Sequence, residues 1–525
     1  MPTLNWIGKD KVLNHHLEVP FHVLERQYSF DEAGKHEEDN GSENMIIHGD
    51  NLLALKSLLP KYEGKIKCIY IDPPYNTGNE NWVYNDNVND PQIQRWLHQV
   101  VGKEGEDLSR HDKWLCMMYP RLKLLQRLLA DDGVIFVSID VFEYAHLKCI
   151  MDEIFGLANF RNCIAVRRGI KNVQAQFEEV QALSLGHEYI YLYSKNPQVK
   201  LPKLSKALDV AKAGKWDTFW RGTDRPTMRY KMFDVLPDSG QWRWEEGRAK
   251  KAVQNYELYL SQYADKMSID DFYIEHLMAT NEKLDFVRKN EGGTIQYYVP
   301  PQTGKLLSDN WMDILLSGSF AGFDTEKNVL LIQRIIDWIV HPGEIVLDSF
   351  AGSATTAHAV FNINKADGGN RKFICIEMMD YADTITAERV KRVINGYGEG
   401  KKTVDGTGGN FSYYELGEPL LVDDKLNNAV STEKIREYIY YMETKQALPE
   451  TSADEPMLLG VYHGAAYYFN YEKDASTTLN AAFLKSIKTQ AEAYVIYADT
   501  CVISDNKLQQ FNITFKKIPR DIARL

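Results

Sequence analysis

The sharpest chemical signal in the chain is Asp72-Pro73-Pro74-Tyr75, which directly follows the apolar run Lys67–Ile71. An amino group on an aromatic ring is a poor nucleophile because its lone pair is delocalised into the ring. A carboxylate and a backbone carbonyl that accept its two N–H bonds pull the nitrogen toward tetrahedral geometry and free the lone pair. Asp72 supplies the carboxylate. Pro74 has no N–H and holds the residue before it extended, which keeps the Pro73 carbonyl free and aimed. Tyr75 offers a flat face on which an extruded base can stack, worth about 1–3 kcal/mol. The motif sits where a strand ends, the edge at which α/β sheets bind ligands.

A second group is Asp348-Ser349-Phe350-Ala351-Gly352-Ser353-Ala354-Thr355. It reads as a strand, a turn of small residues and the start of a helix, so backbone amides can approach a ligand and the helix N-terminus favours a carboxylate. The turn lacks the second and third glycines of a dinucleotide fingerprint, which argues against NAD. Glu377 ends the following strand. Alone it reads as a cap or a surface acid; beside this turn it is placed to accept bonds from two ribose hydroxyls. A third group, less specific, lies within 197–310, where Trp216, Phe219, Trp220, Trp242 and Trp244 are interleaved with Arg221, Arg225, Arg229, Arg243 and Arg248. Most such tryptophans belong to a core. His187 and Glu188 open a strand-like run, but no third ligand stands at suitable spacing. Both are read as structural, and no metal is expected.

These residues need elements to hold them. Met45–Asp50 reads as a short strand with a turn, Leu52–Leu59 as a helix, Lys67–Ile71 as a buried strand, and Trp114, Leu115, Met118, Leu122, Leu125 and Leu129 as the apolar stripe of a long helix. Val134–Ile139, Glu344–Asp348 and Lys372–Glu377 read as further strands, with helices at about 142–155, 326–340 and 355–362. This alternation predicts an α/β sheet with mostly parallel strands. It breaks between about 197 and 310 and then returns. The expected organisation is an N-terminal arm (1–43), a first half of the sheet domain (44–196), an inserted domain (197–310), a second half (311–400), a glycine-rich linker, and an α+β C-terminal domain (410–525).

Composition narrows the class. Of 525 residues, 44% are hydrophobic and 26% charged, which excludes disorder or a fibrous repeat as the main description. The net charge of −12 disfavours a protein that simply coats nucleic acid. It does not exclude a locally basic groove, because screening confines each charge to about 8–10 Å. Six scattered cysteines without C-x-x-C pairs argue against a zinc module or disulfide scaffold and fit a reducing cytoplasm. No apolar stretch approaches the roughly 18–20 residues of a membrane span, and the start shows no basic segment followed by an apolar core. A cytoplasmic protein is expected.

The motifs together resemble the amino-group DNA methyltransferases that use S-adenosylmethionine. The order, catalytic motif first, insertion, then cofactor turn, resembles the β class, whose target-recognition domain lies between the halves. Asp at position 72 resembles the adenine-modifying branch. Gly49–Leu52, Ile71–Gly78, Trp82–Asp86 and Phe515–Arg520 look like the modification subunits of Type III restriction systems. The resemblance implies a Rossmann-like methyltransferase sheet of circularly permuted motif order and N6-methylation of a flipped-out adenine in double-stranded DNA. It implies catalysis by Asp72 to Tyr75 and a cofactor seat formed by Asp50, Asp72, Asp348, Phe350 to Thr355 and Glu377. Asp50 is equally well read as the N-cap of the helix after it. Tyr75, Arg221, Arg225, Arg229 and Arg243 would contact DNA. Implied partners are a second copy of the chain and an ATP-dependent helicase-nuclease subunit; nothing here looks like a Walker loop. Alternatives are a cytosine-N4 enzyme of the same fold, a catalytically silent specificity subunit, or an enzyme acting on RNA or protein amides. Two departures stand out: Ala354 replaces a second glycine of the turn, and Thr325-Glu326-Lys327-Asn328 stands where many relatives have Lys-Pro.

Overall fold

The computed structural model describes residues 3–76, 106–169, 182–320, 326–422, 425–450 and 454–518. Thr77, Gly78, Trp82–Asp86, Thr325, Pro519 and Arg520, which carry part of the resemblance, lie outside the described residues. The chain divides into two compact units, Met1–Pro202 with Asp309–Leu525, and Lys203–Ser308.

The first unit is built on one eleven-stranded sheet. Its strands are β1 (His22–Asp31), β2 (Gly34–His36), β3 (Met45–His48), β4 (Ile66–Ile71), β5 (Leu129–Ile139), β6 (Phe160–Arg167), β7 (His187–Ser194), β8 (Asn310–Leu315), β9 (Ile345–Asp348), β10 (Lys372–Glu377) and β11 (Phe411–Pro419). Their spatial order is β8-β6-β7-β5-β4-β9-β10-β3-β11-β1-β2. The central strands β5, β4, β9, β10, β3 and β11 are parallel, whereas β7 runs against both β5 and β6.

The central strands are short apolar runs because both their faces are covered. Ile66, Cys68, Ile69 and Ile71 of β4, and Val346 and Leu347 of β9, are fully buried. The covering helices include α1 (Asn51–Tyr62), α2 (Glu106–Leu128), α3 (Tyr144–Phe155), α4 (Val329–Ile339), α5 (Thr355–Asp367) and α6 (Glu388–Asn395). Trp114, Leu115, Met118, Leu122 and Leu125 of α2 are buried, as the three- and four-residue spacing predicts. Each such side chain contributes about 1.5–3 kcal/mol when fully buried. In α4, Leu331, Ile332, Ile335, Ile336 and Ile339 form the inward stripe.

The pairing of β4 with β9 positions the site. Val346 lies opposite Cys68 and Leu347 opposite Ile69, so two strands far apart in sequence end side by side. From β4 the sheet continues to β5 on one side, and from β9 to β10 on the other. A crevice therefore opens beyond the carboxyl ends of β4 and β9, at a topological switch point.

Two expected boundaries are corrected. The N-terminal stretch is not an arm, because β1 is a ten-residue strand of the main sheet. The expected start of a C-terminal domain at 410 falls inside that sheet, since β11 pairs in parallel with β3 and antiparallel with β1. Buried contacts hold β1 to β11: Ser29 Oγ lies 2.8 Å from Ser412 Oγ, and the rings of Tyr28 and Tyr413 stack at 5.0 Å. Beyond β11 come a helix, Thr432–Thr444, and a four-stranded sheet of Leu458–Tyr462, Ala465–Phe469, Ala493–Ala498 and Ile513–Lys517.

The second unit opens and closes on an antiparallel pair, Ser205–Lys212 with Gln302–Leu306, so the chain enters and leaves it side by side. Inside are a three-stranded sheet and the helices Glu246–Gln262 and Ile269–Thr280. Phe219, Trp242, Val287 and Ile295 form one of its cores and Tyr259, Phe272, Phe286 and Tyr298 another. No helix among the described residues is long and apolar enough to cross a membrane.

Candidate active site

Asp72 to Tyr75 leave β4 at the crevice. Trp114 of α2 donates from Nε1 to the Pro74 carbonyl at 2.7 Å, which commits that carbonyl and fixes the turn from beneath. Asn76 closes the motif with a left-handed φ of 55°. It donates from Nδ2 to Glu143, a fully buried carboxylate that also accepts from His111 Nδ1 at 2.6 Å and His146 Nδ1 at 2.8 Å. The hydrogen bond that His146 donates to Glu143 raises the His146 pKa. These three side chains form a group among the described residues that could surround a metal ion, a group that His187 and Glu188 did not reveal. Both oxygens of Glu143 accept hydrogen bonds, so the cluster braces the loop that carries Asp72 to Asn76.

Asp72 is held from the far half of the chain. Lys327 Nζ lies 2.7 Å from Asp72 Oδ2, with the two side chains 11% and 19% exposed. The same ammonium donates to the Tyr75 hydroxyl at 3.0 Å and lies 4.9 Å from the centre of its ring. The other carboxylate oxygen, Asp72 Oδ1, is buried and has no partner. Lys327 therefore fixes the orientation of Asp72 and leaves one oxygen for a ligand. Burial, with the Asp72 charge next in weight, pushes the Tyr75 hydroxyl well above its usual range, so it stays protonated.

Beside this motif the turn after β9 is tied down by hydrogen bonds. Asp348 accepts from the Phe350 amide at 3.1 Å and from Thr356 Oγ1 at 2.6 Å. Burial pushes its carboxyl up to about 7. The Ala351 amide donates to the Ile376 carbonyl, and the Gly352 amide to Glu377 Oε2 at 2.8 Å. Glu377 Oε1 accepts from the Met379 amide at 3.0 Å. Its carboxylate thus cradles the turn directly, with the Met378 amide and the Tyr381 hydroxyl also bonded to it. Ala354 adopts φ 61°, a conformation that favours glycine, and caps α5. That is the physical reason a glycine would suit this position.

Arg389 of α6 completes the frame. It pairs with Glu326 at 3.0 Å, both side chains 1% exposed, and donates to Ser353 Oγ at 2.8 Å and Thr355 Oγ1 at 3.0 Å. The next residue after Glu326 is Lys327, so one ion pair anchors both the turn and the lysine facing Asp72. Asp50 is the N-cap of α1, accepting from the Leu52 amide at 2.7 Å, and its other oxygen faces Arg121 at 3.4 Å. Asn51 donates to the Ser349 carbonyl at 2.8 Å. Ser349 Oγ, like Asp72 Oδ1, is buried without a partner.

In the second unit the four arginines expected to contact DNA divide. Arg221 and Arg225 are exposed. Arg229 pairs with Asp224 and donates to the Gly240 carbonyl; Arg243 donates to the Thr218 carbonyl and lies over the Tyr297 ring. Trp242 is core, whereas Trp220 is 43% exposed.

Sequence reasoning missed Lys327, Arg389, Trp114 and Asn51 as parts of the site and set Glu188 aside as structural. Asn51 carried a signal, standing within the Gly49–Leu52 string, and so did Lys327, in the segment where relatives have Lys-Pro.

The pattern of a family described as DNA methylase matches residues 66–388. Among curated proteins, the chain is 31% identical to a probable type III restriction-modification enzyme HindVI Mod subunit of Haemophilus influenzae, over 73% of this chain and 55% of that protein. It is 33% identical to the type III restriction-modification enzyme StyLTI Mod subunit of Salmonella typhimurium, over 64% of this chain and 52% of the relative. It is 28% identical to the type II methyltransferase M.KpnI of Klebsiella pneumoniae, over 67% of this chain and 84% of the relative. The chain spans about half the length of the first two relatives.

Proposed function

The chain belongs to the DNA methylase family, and from that premise we propose that it transfers a methyl group from S-adenosylmethionine to N6 of a flipped-out adenine in duplex DNA, as the modification subunit of a Type III restriction-modification system. One observation carries the reading most: Asp72 Oδ1, buried and unpartnered beside the turn after β9, while Oδ2 is locked to Lys327. An acceptor left in that state calls for a ligand that brings an N–H, because a buried acceptor without a donor costs about 1–3 kcal/mol.

The residues fit the methyl donor. The turn 349–354 precedes a thirteen-residue helix, α5, whose N-terminus favours a carboxylate. Ser349 Oγ is a second buried polar atom without a partner, and Glu377 stands at the end of β10 bonded to the turn itself. When bound, S-adenosylmethionine supplies an electrophilic methyl group on a positively charged sulfur.

The chain's own part is to prepare the nitrogen. Asp72 Oδ1 accepts one N–H of the adenine amino group and the Pro73 carbonyl accepts the other. The Pro74 carbonyl cannot compete, being held by Trp114. These bonds draw the nitrogen out of conjugation, and Asp72 stabilises the positive charge that develops on it. Tyr75 lies against the base. Extruding the base costs a few kcal/mol, which stacking and the two hydrogen bonds offset. Because attack is in line, holding the nitrogen and the methyl carbon in register is the largest contribution of the pocket.

The 203–308 unit would read the DNA sequence, with the exposed Arg221 and Arg225 as its first contacts. A second copy of the chain and an ATP-dependent helicase-nuclease subunit are its proposed partners, and the cytoplasm its proposed compartment. The test is incubation of the chain with methyl-labelled S-adenosylmethionine and duplex DNA, followed by mass analysis of the nucleosides. N6-methyladenine is expected; N4-methylcytosine would move the reading to the cytosine branch. Absence of label in DNA would remove it.

A further inference from the structure

The reaction above leaves one carboxylate of the pocket unused. Glu188 is the second residue of β7, and because β7 runs against β5, its first residues lie at the edge where β4, β5, β9 and β10 end. The side chain is buried. Arg168 Nε approaches Oε1 at 3.4 Å, while Oε2 is buried without a partner. Lys327, Asp72, Arg168 and the Tyr75 hydroxyl are the groups that act on it, and its charge reaches Asp140 and Tyr70. The pocket thus holds two carboxylate oxygens, Asp72 Oδ1 and Glu188 Oε2, that are both buried and both without a donor. Two such acceptors around one lysine suit a ligand that arrives with more than one N–H.

They also differ in what they can do. Asp72 has committed its other oxygen to Lys327 at 2.7 Å. A backbone carbonyl such as that of Pro73 can hold a hydrogen bond but is too weak a base to keep a proton. Glu188 has the longer contact to Arg168 at Oε1 and the Tyr75 hydroxyl beside it, and no ion pair as short as that of Asp72.

We propose that Glu188 is a further catalytic residue, whose Oε2 takes the proton that the adenine amino nitrogen must lose. This rests on the adenine-methylation reading and adds the fate of the proton to it. The nitrogen lone pair forms the new N–C bond, and the C–S bond breaks with its electrons left on sulfur. The electron pair of the N–H that the Pro73 carbonyl held then returns to nitrogen as that proton moves on to Glu188 Oε2. A neutral carboxylic acid remains, and it passes the proton to water once the product leaves. Burial, with Asp72 beside it, holds the Glu188 carboxyl above its usual range against the pull of Lys327, which strengthens it as an acceptor.

The test is single-turnover methyl transfer to DNA by the full chain across pH, for wild type, Glu188→Gln and Glu188→Asp. In wild type the rate should fall as pH drops through the raised Glu188 pKa, since only the carboxylate can accept. Glu188→Gln, of equal size, should lose about 10²-fold in rate and lose that acidic limb, with donor binding unchanged. Glu188→Asp should keep the limb at a rate about tenfold lower. Glu188→Gln at wild-type rate, or slow with the limb intact, would overturn the proposal. Should Glu188→Gln fail to fold, an unchanged rate in Glu188→Asp would overturn it equally. A wild-type chain that methylates no adenine would instead remove the reading beneath it.

Discussion

The Lys327–Asp72 pair allows folding and chemistry to be separated by one double-mutant cycle. At 2.7 Å the attraction is about 6 kcal/mol at the effective dielectric of about 20 suited to partly buried charges. Desolvation of both groups offsets much of it. Removing one partner strands the other, 11% exposed for the lysine and 19% for the aspartate, and breaking buried pairs in this way costs about 3–5 kcal/mol. Because neither group is wholly enclosed, Asp72→Asn and Lys327→Met should each cost about 3 kcal/mol. The double variant carries no stranded charge, so it should recover most of the loss, with a coupling energy of about 2–3 kcal/mol. Activity should not follow. Asn at 72 presents no negative charge to the developing ammonium, so methyl transfer should fall at least about 10²-fold in both the single and the double variant. Urea denaturation measures the first quantity and single-turnover transfer the second. A coupling energy near zero would mean that Lys327 does not hold Asp72 in solution. A double variant that regains methylation would refute Asp72 as the group facing the amino nitrogen.

Three further outcomes are expected. Asp348 is pushed up to about 7 from an ordinary value near 4, so its contribution to stability is complete below about pH 4 and is lost as pH rises to about 7. Asp348→Asn should flatten that part of the stability–pH curve in urea titrations, and parallel curves for the two proteins would contradict the assignment. Arg389→Met strands Glu326 in the core and releases Ser353 and Thr355, so it should cost about 3–5 kcal/mol and weaken donor binding measured by calorimetry. Glu326→Gln added to it should return part of the stability, and no recovery would count against the pair. Replacing both Arg221 and Arg225 by Ala should weaken DNA binding and lower the salt dependence by about one unit for each phosphate no longer neutralised. An unchanged salt slope would place DNA recognition on other residues.

What could be read from the sequence was whatever depends on neighbours along the chain. The run Lys67–Ile71 followed by Asp72-Pro73-Pro74-Tyr75 announces a buried strand ending in a rigid turn, and the structure has a strand there, Ile66–Ile71. The small-residue turn after β9 was equally legible, because a turn, a helix start and a strand end are local. Pairings between distant segments were not. The sequence of β1, His-Val-Leu-Glu-Arg-Gln-Tyr-Ser-Phe-Asp, mixes polar and apolar residues, and its burial becomes intelligible only beside β11, almost 400 residues later. Lys327 and Glu188 were hard to place for the same reason: a lysine just before a helix, or an acid on a strand end, looks solvated until the fold brings it to Asp72. The arginines and tryptophans of the inserted unit share one composition for two uses. Trp242 lies in a core and Trp220 outside it, a distinction no spacing rule could draw.

The proposed chemistry depends on a single meeting of nitrogen and carbon at the end of β4. A crystal structure of the chain with S-adenosylmethionine bound tests it most directly. The donor is expected on the turn 349–354, its methyl carbon facing the space between Asp72 Oδ1 and the Pro73 carbonyl, about 3–3.5 Å from where the amino nitrogen must stand. A donor seated with its methyl carbon turned away from Asp72, or outside the crevice between β4 and β9, would contradict that chemistry.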